Sequence, residues 1–262
     1  MQKTNPELRK QARERLAGQW GMNVLIVFLS IFASGIVQNI FSGITNFKAE
    51  STQATVLDFL VSNLVLFAFT YATYFVALYV VRGGKAEAGQ IFVIFNKKYY
   101  VPMMIINFLN SVAGYLVGLI VFLPLLVMFG ASVYAALVVS NGTNTDAIFQ
   151  HIFGDNLLLV LLFFLLVLVL LVASSIVTGV FQFAAWAKMD FPDLKVGASL
   201  SYGWKLLKGR IGQYILLQLS FIGWYILGML AFVIGTLWAV TYANVSIAAF
   251  YDDSRKQIGD PI

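Results

Sequence analysis

From Leu157 to Ala187 the chain runs for 31 residues without one charged side chain, and its first sixteen positions are LLLVLLFFLLVLVLLV. A bilayer's hydrocarbon core takes about 20 helical residues, and a water-soluble domain has no interior long enough for such a stretch. The rest of the chain agrees. It is 60% hydrophobic and 11% charged, whereas soluble domains are about one-quarter charged. The expected fold class is all-α: a polytopic membrane protein forming a single integral membrane domain over residues 1–262.

Six spans can be read, at about 20–41, 57–81, 101–123, 157–187, 212–232 and 235–251. The first nineteen residues are polar and charged, so the run that follows lacks a signal peptide's short core and is expected to be retained. The third tract continues toward 140 past Pro124, as one long kinked helix or as two short ones. Charge placement decides between them, because Lys and Arg concentrate in cytoplasmic loops. Sixteen of the seventeen basic residues fall in four groups: 3–15, 82–98, 188–210 and 255–256; only Lys48 stands apart. All sixteen share one face if 101–140 crosses once and 212–251 crosses twice. Loops 42–56 and 141–156 then lie outside, the second carrying Asp146 and Asp155. Six spans are expected, with both termini inside.

The three longer basic groups are patterned. Thr4, Pro6 and Glu7 form a helix start, followed by an apolar stripe of Leu8, Ala12, Leu16 and Trp20. Arg9, Lys10, Arg13 and Arg15 occupy the other faces. This is the pattern of a helix lying on an anionic leaflet with Trp20 at headgroup depth. In Asp193–Arg210, Leu200, Trp204 and Leu207 are expected on one face, and Ser201, Lys205 and Lys208 on the other. Between Arg82 and Lys98, Phe92, Phe95 and Tyr99 stand beside Lys97 and Lys98. The candidate headgroup- or partner-binding residues are Arg9, Arg13, Lys97, Lys98, Lys205, Lys208 and Arg210; the bland alternative is that they only fix topology. Anionic lipids and a membrane-protein partner are the expected contacts. Nucleic acid is not, since topology accounts for the basic charge.

A short motif recurs. Leu16-Ala17-Gly18-Gln19-Trp20-Gly21 and Leu207-Lys208-Gly209-Arg210-Ile211-Gly212 both read Leu-x-Gly-x-x-Gly, each where a basic helix gives way to an apolar one. Glycine permits a sharp change of direction there. Thr70-Tyr71-Ala72 and Thr241-Tyr242-Ala243 repeat as well, with Tyr79 and Tyr251 following. Residues 8–81 and 199–251 are therefore candidates for parallel copies of one unit, with chance likeness of apolar sequence as the rival.

Chemistry is sparse. There is no cysteine, so disulfides and thiolate catalysis are excluded. The single histidine, His151, has no second histidine to share a metal with. Asp58 lies at the outer edge of the second span. Lys188 and Asp190 lie at the inner end of the fourth, with no partner evident. No Gly-x-Ser-x-Gly or phosphate-binding loop occurs, and Asn141-Gly142-Thr143 matches a glycosylation sequon that would mean nothing in a bacterial protein. No catalytic residue, metal or cofactor is expected, and the chain is not expected to be an enzyme. Uncharged polar residues within spans either line a path or bond between helices. Asn63, Asn107, Gln213 and Asn244 are the candidates for lining a cavity. Gly114 and Gly118 suggest close helix packing, and Gly235, flanked by Trp224 and Trp238, suggests the outer turn of the last hairpin.

The tract LLQLSFIGWYILGMLAFVIGTLW, followed by AAFYDD, resembles the C-terminal signature of a bacterial membrane-protein family known as domain of unknown function 975. Leu219-Ser220-Phe221-Ile222-Gly223-Trp224, Gly235 and Ala249-Phe250-Tyr251 carry the likeness, as do Gly18-Gln19-Trp20-Gly21 and Leu206-Leu207-Lys208-Gly209. The middle departs from it: Thr178-Gly179 stands where members tend to have Pro-Gly, and Thr241 where they tend to have proline. The resemblance implies an integral inner-membrane protein and no reaction. A looser likeness to the membrane domain of some glycerophosphodiester phosphodiesterases points toward lipids. The leading expectation is a non-enzymatic accessory, regulatory or binding partner of another envelope component. The second is a transporter or lipid-handling protein with a cleft between the repeated hairpins.

Overall fold

The computed structural model describes residues 2–45, 47, 51–139, 154, 157–231 and 234–261. Lys48, Asn141-Gly142-Thr143, Asp146, His151 and Asp155 lie outside the described residues. Among those described, all regular structure is helical: α1 (Asn5–Leu16), α2 (Trp20–Thr45), α3 (Thr52–Val61), a π-helical turn (Ser62–Leu66), α4 (Phe67–Val81), a 3-10 helix (Ala88–Phe95), α5 (Lys97–Val139), α6 (Leu157–Asp190), α7 (Val196–Lys208), α8 (Ile211–Leu219), α9 (Ile222–Leu230) and α10 (Ile234–Ile258). Six stretches are long and apolar enough to cross a membrane, within a few residues of the expected spans. The third is one continuous helix through Pro124 rather than two short ones.

The chain divides into two compact units, residues 1–110 with 179–262, and residues 111–178. In the first unit the buried face is concentrated on α4, the last third of α6 and most of α10. From Phe183 through Ala187 every residue is fully buried, as are Phe250 and Tyr251. Trp186 packs against Tyr251 at 5.3 Å between rings and donates its indole N–H to the Tyr74 carbonyl at 2.8 Å. A buried tryptophan needs such a partner, because an unmet donor in an apolar interior costs about 1–3 kcal/mol.

The stripe on α1 is real, but its partner differs from the expected one. Leu8, Ala12 and Leu16 are fully buried, with α1 packed on α10 and α4. The apolar surface that a lipid would have covered is covered by protein instead. α7 also departs from expectation. Its buried face is Ser199, Tyr202, Gly203, Leu206 and Leu207, while Trp204 turns outward, 43% exposed. Gly203 decides this rotation: a Cβ there would stand 2.6 Å from the Val180 carbonyl oxygen, so α7 presses its small residue onto α6.

The second unit is apolar. Phe122 of α5 and Phe163 of α6 meet at 5.9 Å between ring centroids. Gly114 and Gly118 face open space rather than another helix of the chain, so the expected close packing does not occur there among the described residues.

Candidate functional site

Three polar arrangements and one apolar groove stand out in the first unit. The first arrangement gathers around Asp190 at the end of α6. Arg82, just past α4, donates to both of its carboxylate oxygens at 2.6 and 2.8 Å, Arg255 donates at 2.8 Å, and the Tyr251 hydroxyl at 3.0 Å. Arg82 also holds Asp252 at 2.7 Å. Burial pulls the Arg82 guanidinium toward losing its proton, but the bonds to Asp190 and Asp252 outweigh that and raise its pKa. Asp190 and Lys188, for which no partner was evident in sequence, are thus both engaged; Lys188 donates to the Pro192 and Leu194 carbonyls.

The second arrangement centres on Arg210, the residue preceding α8. Its side chain is only 7% exposed, paired with Asp253 at 2.8 Å and bonded to the Ser254 hydroxyl at 2.8 Å. Its guanidinium lies over the Phe250 ring at 4.2 Å, a cation–π contact. Burial lowers the Arg210 pKa, and Asp253 opposes that loss. Gln213 accepts from Arg210 at 3.0 Å and donates to the Lys3 carbonyl at 2.7 Å, while the Lys3 backbone N–H reaches Asp253 at 3.2 Å. Arg210 is therefore withdrawn from any headgroup, and Gln213 belongs to this cluster rather than to a cavity among the spans. Sequence spacing gave no signal for either pairing, because partners more than 40 residues apart leave no periodicity.

The third is a bond between two spans. Asn107 of α5 donates to Asn63 at 2.9 Å, and Asn63 donates to the Phe59 carbonyl at 2.9 Å. Asn63 sits in the π-helical turn, which widens the helix and displaces its carbonyls from their usual donors. The Tyr100 hydroxyl donates to the Leu64 carbonyl within that turn. Asn244 lies elsewhere, beside Asn23, Thr73 and Thr241 around a cavity of about 10 Å³, the size of one water. The four candidate cavity-lining residues fall in three places. At the far end of the second span, Asp58 accepts from Gln38.

Of the remaining basic candidates, Arg13, Lys97, Lys98, Lys205 and Lys208 are exposed and Arg9 is half-buried. None of the six forms an ion pair among the described residues. Arg13 is placed most specifically. It donates to the Tyr242 hydroxyl at 2.7 Å, and that hydroxyl donates to the Arg9 carbonyl at 3.3 Å. Beside this contact a groove of about 330 Å³ opens, walled by Trp20, Trp224, Leu227 and Trp238. Gly228 and Gly235 form its floor where α9 and α10 touch; a Cβ on Gly228 would stand 2.6 Å from the Thr236 nitrogen.

These features define a multi-pass α-helical membrane protein with two ion-paired clusters, around Asp190 and around Arg210, in its first unit. Residues 1–257 match the family described as protein of unknown function DUF975, and the chain belongs to that family. No curated protein and no solved structure matches it at a significant level.

Proposed function

We propose that the chain is a non-enzymatic protein of a bacterial cytoplasmic membrane, with both termini in the cytoplasm. In this reading it is an accessory, regulatory or binding partner of another envelope component. One observation carries it. Asn63 with Asn107, Gln213 with Arg210 and Lys3, and Asn244 at a cavity the size of one water lie in three separate places. A solute path would need them on one continuous surface. The charged residues point the same way: Arg82, Asp190, Arg210 and Asp253 are spent on one another, which suits a rigid body presenting exposed lysines such as Lys97, Lys98, Lys205 and Lys208. The positive-inside bias supports the orientation.

The test has two arms. Reconstituted alone into vesicles, the protein should move neither small solutes nor lipids between leaflets. Extracted from its own membrane in mild detergent, it should carry a stoichiometric second protein in native mass spectrometry, and charge removal at Lys205 and Lys208 should release that protein. Flux catalysed by the chain alone would overturn the reading in favour of transport. Orientation can be read independently by single-cysteine labelling, since the chain has no cysteine of its own.

A further inference from the structure

The groove beside Arg13 combines features that neither a helix contact nor the accessory reading requires. Its walls are apolar and open. Trp224 is 49% exposed, Trp238 45% and Leu227 60%, all on the hairpin of α9 and α10. Tyr242 closes one end, wedged edge-on against Phe221 at 5.0 Å, Trp224 at 5.9 Å and Trp20 at 6.0 Å. At that closed end stands Arg13, exposed, bonded to the Tyr242 hydroxyl and facing no carboxylate among the described residues.

A guanidinium without a carboxylate partner among the described residues, at the end of an apolar channel, defines its occupant by chemistry. The occupant must carry an anion with several acceptor oxygens, and behind it an apolar tail. Guanidinium forks match phosphate geometry, and tryptophans take positions where apolar chain meets headgroup.

We propose that this groove is a binding site for one anionic phospholipid. An acyl chain lies between Trp224 and Trp238, and the phosphodiester is held by Arg13. The site does not depend on the accessory reading, because it needs no second protein and no transport.

Tryptophan fluorescence tests it directly. Trp186 is fully buried and shielded, and Trp204 can be replaced by phenylalanine, leaving Trp20, Trp224 and Trp238 to report on the groove. The Trp204→Phe protein is reconstituted in phosphatidylcholine vesicles containing a minor fraction of acyl-brominated phosphatidylglycerol, or the same fraction of brominated phosphatidylcholine. The anionic lipid should quench with a preference of about fivefold, the size expected for one basic residue near a charged headgroup. Arg13→Gln should bring the preference close to one, and Arg13→Lys should keep most of it. Ala231→Phe, at an exposed position of the groove, should lower quenching by both lipids. Equal quenching by the two lipids in the starting protein, or a preference that survives Arg13→Gln, would overturn the proposal.

Discussion

The two Leu-x-Gly-x-x-Gly segments make the same transition with different physics. In the first, α1 ends at Leu16 and the backbone turns through Gly18 at φ +77° before α2 begins at Trp20. In the second, α7 ends at Lys208, Gly209 keeps an ordinary helical φ of −77°, and α8 starts at Ile211. The helices they launch also differ. α2 continues unbroken for 26 residues, whereas the fifth span is interrupted between Leu219 and Ile222. The paired tyrosines diverge too: Tyr71 packs among Phe67 and Tyr74, while Tyr242 meets two tryptophans and an arginine. A shared motif marks where a helix must turn, and the neighbouring elements decide how.

The largest difference should appear at the turns' charges. Arg210 follows the second glycine into a buried ion pair, so Arg210→Ala leaves Asp253 uncompensated and should cost about 3–5 kcal/mol. The corresponding position in the first copy is the uncharged Gln19. Thermal unfolding of the purified protein reads the loss, and a drop under 1 kcal/mol would show that the pair is not buried. Next comes Gly203→Ala. It drives a Cβ onto the Val180 carbonyl and should cost about 1–3 kcal/mol as α7 lifts from α6. The glycines themselves should separate cleanly. Gly18→Ala forces alanine into the left-handed region for about 1–2 kcal/mol. Gly209→Ala, with open space around it, should be neutral or stabilising by up to ~1 kcal/mol. Equal effects would erase the distinction drawn between the two turns.

The smallest effect is at the start of the surface helices. Glu7 accepts from the Thr4 backbone N–H at 2.7 Å and from its hydroxyl at 2.8 Å, and these bonds lower its pKa below the ordinary 4.5. A depressed carboxylate contributes stability that is present above the ordinary value and lost as pH falls through the lower folded value. The first turn of α1 should therefore fray in acid. α7 begins at Val196, where Lys195 before it supplies no side-chain cap, and should not respond. Amide exchange of the two first turns as a function of pH checks the contrast.

Much of this architecture was legible in sequence. The six long apolar helices follow from apolar length, and the continuity of the third past Pro124 agrees with charge placement. The helix starting after Thr4 and its stripe of Leu8, Ala12 and Leu16 were legible as well. What escaped was every identity that depends on a distant partner. Nothing local distinguishes a stripe facing lipid from one facing α10. Arg210 reads as one more surface cation until Asp253 is beside it, and Asp190 reads as unpaired until Arg82 and Arg255 arrive from 108 and 65 residues away. The rotation of α7 turned on Gly203, whose importance is the closeness of another helix rather than any property of its own. The Asn63–Asn107 bond was within reach as a pair of candidates, but only the π-helical turn aims one at the other.

The seat of α1 on α10 also sets a timetable. Arg13 and its partner Tyr242 lie 229 residues apart in the chain. At about 5–20 residues per second, ribosomal synthesis of that interval takes roughly ten to fifty seconds. For all of that time Leu8, Ala12 and Leu16 have no α10 to pack against. The membrane surface, to which an amphipathic basic helix is suited, is the nearest shelter available. The lipid contact that the folded protein denies to the stripe of Leu8, Ala12 and Leu16 is thus one the stripe can make while the rest of the chain is still being made.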